Sequence, residues 1–129
     1  MTPSKALLCA EAALDKKASD LVVLDVGSLT SIADQLIVCS GRSDRQVQNI
    51  ADHVMRTLKA AGMPALAAEG LDRGQWVLID CSDVIVHVFQ PDVRAFYDLE
   101  RLWEHAPRVR LPEPLRTQAE EASARRAEA

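Results

Sequence analysis

The stretch WVLIDCSDVIVHVFQ, residues 76–90, sets one histidine and two aspartates inside apolar, strand-like sequence. Those residue types can do chemistry. A histidine beside a carboxylate can act as a general base, provided a nucleophile stands within reach. Two carboxylates flanking a tight turn can hold a divalent cation. His87 lies on the Ile85–His87–Phe89 face of its run, opposite Val84, Val86 and Val88, and Asp80 and Asp83 flank the turn. No serine or cysteine stands in a nucleophile-elbow context, so a base would lack its reactive atom. A histidine hydrogen-bonded at the sheet surface is the more economical reading, and among functional roles contact with a partner ranks above catalysis. Turn aspartates cap the backbone so commonly that the same economy applies to Asp80 and Asp83. Asp34, after a run of turn residues, is ambiguous.

Gly27-Ser28 and Ser40-Gly41 are the sites that resemble phosphate cradles. Neither belongs to a P-loop or a dinucleotide-binding glycine motif. Nucleotidyl transfer would pair a Gly-Ser with a downstream D-x-D holding two magnesium ions, and the chain has no D-x-D. A nucleotide-binding protein or nucleotidyltransferase-like enzyme using Gly27-Ser28 with Asp80 or Asp83 is the alternative reading.

The aromatic residues carry a different signal. All five, Trp76, Phe89, Phe96, Tyr97 and Trp103, fall between positions 76 and 103. Three crowd the segment after the hairpin, beside Arg94, Glu100 and Arg101. Clustered Tyr, Trp and Arg are what a protein interface uses as anchors. Sealing one end of the sheet is the competing use of the same rings.

The elements that must position these residues follow from pattern. A helix is expected over 4–18, with Pro3 tolerated at its entrance. LVVLDV (21–26) and QLIVCS (35–40) are short β-branched runs, apolar on both faces as in strands covered on two sides. Ser43 and Gln46 form a capping box, each able to satisfy the other's backbone N–H. Val47, Ile50, Ala51, Val54 and Leu58 then make one helical stripe, closed by Gly62 and Pro64. A weak strand near 65–69 leads to a turn at 70–74. The runs 76–81 and 83–89 make an antiparallel hairpin, because their link is so short. Pro91 opens one or two helical pieces whose apolar phase breaks near Asp98. The order α-β-β-α-β-β-β-α implies one α/β (α+β) domain over 1–111, built on a mixed sheet of about five strands. Residues 112–129 carry almost no large apolar side chains and are expected to be a flexible tail or a fraying helix.

The totals agree with a small binding domain. A chain of 129 residues can bury a core without staples. The net charge of −4 offers no bulk attraction to nucleic-acid phosphates. Cys9, Cys39 and Cys81 show no disulfide or zinc spacing and are expected as buried thiols. The N-terminus has no secretory pattern, and no stretch approaches the roughly 20 apolar residues of a membrane helix. A soluble, cytoplasmic protein is expected, with no cofactor or metal.

Longer matches carry a family likeness. SIADQLIVCSGRSDRQVQNIADHV, EGLDRGQWVL and WVLIDCSDVIVHVFQPDVRAF followed by YDLERLWEHAPRV resemble the Iojap-like ribosomal silencing factors, across about residues 5–110. One departure is visible: the family usually reads D-x-G-D in the hairpin, and this chain has Asp80-Cys81-Ser82-Asp83, so a slightly different turn shape is expected. The resemblance implies a nucleotidyltransferase-like fold without the catalytic carboxylates, and hence no enzyme. It also implies binding to the large ribosomal subunit through its ribosomal protein uL14. Such binding would block subunit joining and repress translation when nutrients are short or in stationary phase. A homodimer in isolation is a further implication. The residues expected to meet the ribosomal protein are Trp76, His87, Arg94, Tyr97, Asp98, Leu99, Glu100 and Trp103.

Overall fold

The computed structural model describes residues 4–128, with side chains as far as Arg125. Ten elements follow one another: α1 (Lys5–Asp15), β1 (Ser19–Asp25), β2 (Gln35–Ser40), α2 (Asp44–Ala60), β3 (Ala67–Glu69), β4 (Trp76–Asp80), β5 (Val84–Phe89), α3 (Pro91–Tyr97), α4 (Leu99–Leu102) and α5 (Leu115–Glu128). The strands form one mixed sheet in the order β1-β2-β5-β4-β3. β2 and β5 run parallel, and every other neighbouring pair is antiparallel. This is the expected α/β domain with its five strands.

The α2 stripe explains how the sheet is covered. Val47, Ile50, Ala51, Val54 and Leu58 are all fully buried. They pack with residues of α1 and with Val23, Ile37, Val77, Ile79, Val86 and Val88 on one face of the sheet. The start of α2 is only half the expected reciprocal cap. Gln46 N donates to Ser43 Oγ at 3.1 Å, but Gln46 Oε1 accepts from Arg42 N at 2.7 Å instead of from Ser43. Its Nε2 reaches the carbonyls of Lys16 and Lys17, so the glutamine staples α2 to the end of α1. At the other end, Gly62 (φ +78) donates to Lys59 O and Met63 N to Leu58 O, the Schellman pattern. Pro3, expected at the entrance of α1, lies outside the described residues; Ser4 Oγ caps that helix by accepting from Leu7 N.

The opposite face holds a smaller cluster: Leu24, Val26, Ala33, Leu36, Val38, Phe89 and Ala106. Trp76, Ile85, Leu99 and Trp103 pack on it partly buried. The three cysteines are free and buried, as expected.

The segment after Leu111 corrects the expectation of a flexible tail. α5 docks against α1 and β1, burying Leu115 and Ala122 and half-burying Ala119. Ser123 Oγ accepts from Asp20 N at 3.2 Å. Leu115, Ala119 and Ala122 recur at i, i+4 and i+7, a stripe made mostly of alanine. A search for large apolar side chains passes over such a stripe. The last residue of that segment, Ala129, lies outside the described residues.

Candidate protein-binding site

The hairpin fixes the floor of the site. Trp76 pairs with Phe89 and Leu78 with His87 across β4 and β5, so these side chains share the smaller-cluster face. Phe89 is fully buried. Trp76 stacks on it with ring centroids 4.9 Å apart. Trp76 Nε1 donates to His87 Nδ1 at 3.0 Å. Indole nitrogen only donates, so Nδ1 must be an unprotonated acceptor and the neutral ring carries its proton on Nε2. His87 is buried, and that burial pushes its pKa down to about 4. Among the described residues, no Ser, Thr or Cys hydroxyl or thiol bonds to it.

The turn at the far end of the hairpin has its own work for the two aspartates. Ser82 N donates to Asp80 Oδ1 at 2.9 Å, and Cys81 N bonds Val84 O. Asp83 Oδ1 takes a 2.6 Å ion pair from Lys5 Nζ, which also donates to Cys81 O and holds the Asp83 carboxyl below its usual range. Ser82 adopts φ +73, so the serine takes the left-handed conformation that glycine would occupy without strain. Gly27 N donates to Asp25 Oδ1. Among the described residues, no group of three or more His, Cys, Asp and Glu converges as metal ligands. The carboxylates offered by the enzyme reading are thus committed to the turn and to α1.

Two glycines set the near end. A Cβ on Gly70 (φ +86) would lie 2.1 Å from the Trp76 carbonyl oxygen, and one on Gly74 (φ +66) would lie 2.5 Å from that of Asp44. Gln90 donates to Asp44 Oδ1 and to Gly74 O, tying the start of α3 to this turn.

From there α3 and α4 form a ledge. Pro91 stands at the first position of α3, and Asp98 ends it in the left-handed region (φ 48, ψ 48) before α4 begins, at the break expected from the apolar phase. Arg94 braces the ledge. Its Nε meets Glu100 Oε1 at 2.7 Å and its Nη1 donates to Ser40 Oγ at 2.9 Å. The Arg94 side chain is only 12% exposed. Leu99 and Trp103 turn toward the smaller cluster. Three large apolar side chains remain outside, among charged neighbours that include Asp92 and Arg101: Phe96 is 81% exposed, Leu102 72% and Tyr97 55%. Tyr97 tilts against Trp76 at 4.8 Å, and Phe96 meets Tyr97 edge-on at 5.2 Å. An open cavity of about 350 Å³ lies beside them, lined by Gln75, Asp92, Val93, Phe96 and Tyr97.

The eight residues expected at the site therefore divide. Trp76, His87 and Tyr97 meet in one aromatic column. Arg94 and Glu100 brace it, Asp98 is its bend, and Leu99 and Trp103 are its underside. Phe96 and Leu102 were absent from the expected set. Neither α3 nor α4 has a buried residue, and the adjacency of Phe96 to Tyr97 was the available signal.

A neutral, buried histidine thus lies under a braced and exposed aromatic ledge. The chain belongs to the family described as "Ribosomal silencing factor during starvation", whose model matches residues 1–129. It is 43% identical over 104 residues to the ribosomal silencing factor RsfS of Halalkalibacterium halodurans, covering 81% of this chain and 89% of that protein. The chloroplastic protein Iojap of Zea mays is 34% identical over 109 residues, which cover 84% of this chain and 47% of that protein. A crystal structure of a Chromobacterium violaceum protein superposes with a TM-score of 0.77 at 41% identity, covering 84% of this chain and 88% of that one.

Proposed function

We propose that the chain binds the large ribosomal subunit through ribosomal protein uL14 and blocks joining of the small subunit, repressing translation when nutrients are short. Family membership supports the ribosomal setting. The single structural observation that carries a protein contact is the exposed ledge of Phe96, Tyr97 and Leu102 beside Trp76. Large apolar rings held on a braced support lose little side-chain freedom on docking, which suits them to anchor an interface. Asp92 at the rim of the adjoining cavity gives a basic side chain of the partner a counter-charge.

The mechanism is steric occlusion. An interface of about 800 Å² on each partner covers a docking face without any bond being made or broken. In this reading Trp76, Tyr97 and Trp103 supply contact or its backing, while His87, Arg94, Asp98, Leu99 and Glu100 hold them in place. The protein acts without cofactor or catalysis, in the cytoplasm, and a homodimer of the free chain would draw on the same apolar ledge. Among the described residues, no helix is long and apolar enough to cross a membrane.

The test is co-sedimentation with purified large subunits, with and without uL14. Binding to complete subunits that is lost when uL14 is missing is the expected result. Equal pelleting in both cases would overturn the assignment to that protein.

A further inference from the structure

Lys17, Ser19, Arg42, Gln46, Ala122 and Arg125 line a cavity of about 290 Å³ where the α1–β1 turn, the start of α2 and α5 meet. Its wall gathers three positive charges in a chain whose net charge is −4. Among the described residues, none of the three is in an ion pair. Two of the segments that carry them are held by the backbone. Lys17 holds φ 65, and Gln46 binds the Lys17 carbonyl through Nε2 and the Arg42 amide through Oε1. One glutamine therefore holds two of the cationic segments together, although like charges repel. The first turn of α2 adds its partial positive charge at the same place. Acidic groups stand nearby too, Asp20 beside Ser19 among them. Glu121 lines the adjoining cavity with Asp15, Lys17 and Arg125. Asp15 pairs with His53 at 3.4 Å, and Asp44 accepts from Gln90.

We propose that this cavity binds a phosphoanion, with the Arg42 and Arg125 guanidinium groups and the Lys17 ammonium as its donors. Guanidinium matches the paired oxygens of phosphate, and an ammonium adds a compact point charge. Two sources could supply that chemistry: a backbone phosphate of ribosomal RNA, or a free polyphosphate. The RNA source rests on the large-subunit reading above, and the sheet register favours it. Ser19 pairs with Ser40, Ser40 with Phe89, and Phe89 with Trp76. The cavity thus opens at the sheet end that carries the aromatic column, and Ser40 is shared: its carbonyl accepts from Ser19 Oγ at 3.4 Å and its Oγ from Arg94. A chain docked by the ledge would carry a cationic cavity at the same end of the sheet, on the face that holds α1, α2 and α5.

The test uses the full chain and a Lys17→Asn, Arg42→Gln, Arg125→Gln variant; asparagine tolerates the left-handed backbone at position 17. Pyrophosphate is titrated while amide resonances are followed by NMR. Saturable shifts at Lys17, Ser19 and Gln46 are expected, weakened at least about tenfold in the variant and strengthened in Glu121→Gln. Large-subunit affinity is then measured against potassium chloride. If RNA is the source, the variant's log–log slope becomes shallower by about 0.7 for each phosphate that it no longer neutralises. Saturation by pyrophosphate with an unchanged slope assigns the cavity to a free phosphoanion. Neither saturation nor a change of slope overturns the proposal. Because the pyrophosphate arm needs no ribosome, it stands or falls apart from the large-subunit reading. Arg42→Gln alone, at an exposed position, gives the same two readouts should the triple variant melt early.

Discussion

Trp76 Nε1 and His87 Nδ1 are 3.0 Å apart, diagonal neighbours on one face of the β4–β5 hairpin, and this bond joins the sheet to the aromatic ledge above it. The indole donates, so the bond exists only while His87 is neutral. The same indole meets Phe89 below and Tyr97 above. A proton on Nδ1 would leave two donors facing each other in a buried place, and the ring that supports Tyr97 would lose its anchor.

A pH dependence of stability follows. The folded His87 titrates at about 4, below its ordinary 6.5, so the unfolded chain takes up the proton first. The contribution of His87 is complete above pH ~6.5 and is lost as the pH falls from there toward 4. It amounts to about 3 kcal/mol. Urea unfolding at pH 7.5 and pH 4.5 should show that loss in the natural chain, and a His87→Gln variant should lack most of the slope. An equal slope in both would mean that other groups cause it.

Arg94 is expected to act through the ledge. Arg94→Ala leaves Glu100 and Ser40 without their donor and frees α3 from the end of β2. A loss of about 2 kcal/mol in unfolding free energy is expected for a part-buried, hydrogen-bonded pair. Large-subunit affinity should fall as well. Arg94→Lys should recover little of either, since an ammonium cannot span both acceptors in the guanidinium's planar geometry.

The strands, the α2 stripe, the hairpin and the bend at Asp98 were legible because each is written in local pattern: alternation, a period of 3.6, a short turn, a change of phase. The docking of α5 was not, because its buried face is Leu115 with Ala119 and Ala122. Alanine reads as neutral until a neighbouring surface is known to accept it. The site was half legible for a related reason. Composition pointed to the segment of the candidate site, yet which of its polar residues face inward depends on Ser40, a residue 54 positions from Arg94. Ser82 likewise shows φ +73 only once the turn is built.

Ending the chain after Leu111 is therefore expected to harm the fold. It removes Leu115 and Ala119 from the larger core, which also holds Leu14 and Leu21, and with them the buried Ala122. A destabilisation of about 3 kcal/mol is expected from the apolar area uncovered. A truncated chain that melts with the full-length one would show that α5 adds nothing to the core.

Tyr97 and Trp103 should separate in a stability measurement. Trp103 packs half-buried on the smaller cluster, so Trp103→Ala should cost about 2 kcal/mol, less than a fully buried tryptophan would. Tyr97 is 55% exposed, and Tyr97→Ala should change thermal unfolding little. The reverse ranking would exchange their roles between core and contact surface.

Subunit joining, followed by light scattering when small and large subunits are mixed, tests the central claim most directly. Large subunits preincubated with the natural chain should join poorly. With Tyr97→Ala, folded but stripped of the ledge's contact ring, joining should recover, with binding weakened by at least about 2 kcal/mol or some thirtyfold. Joining that proceeds unhindered by the natural chain, or is blocked equally by the Tyr97→Ala variant, would contradict the account.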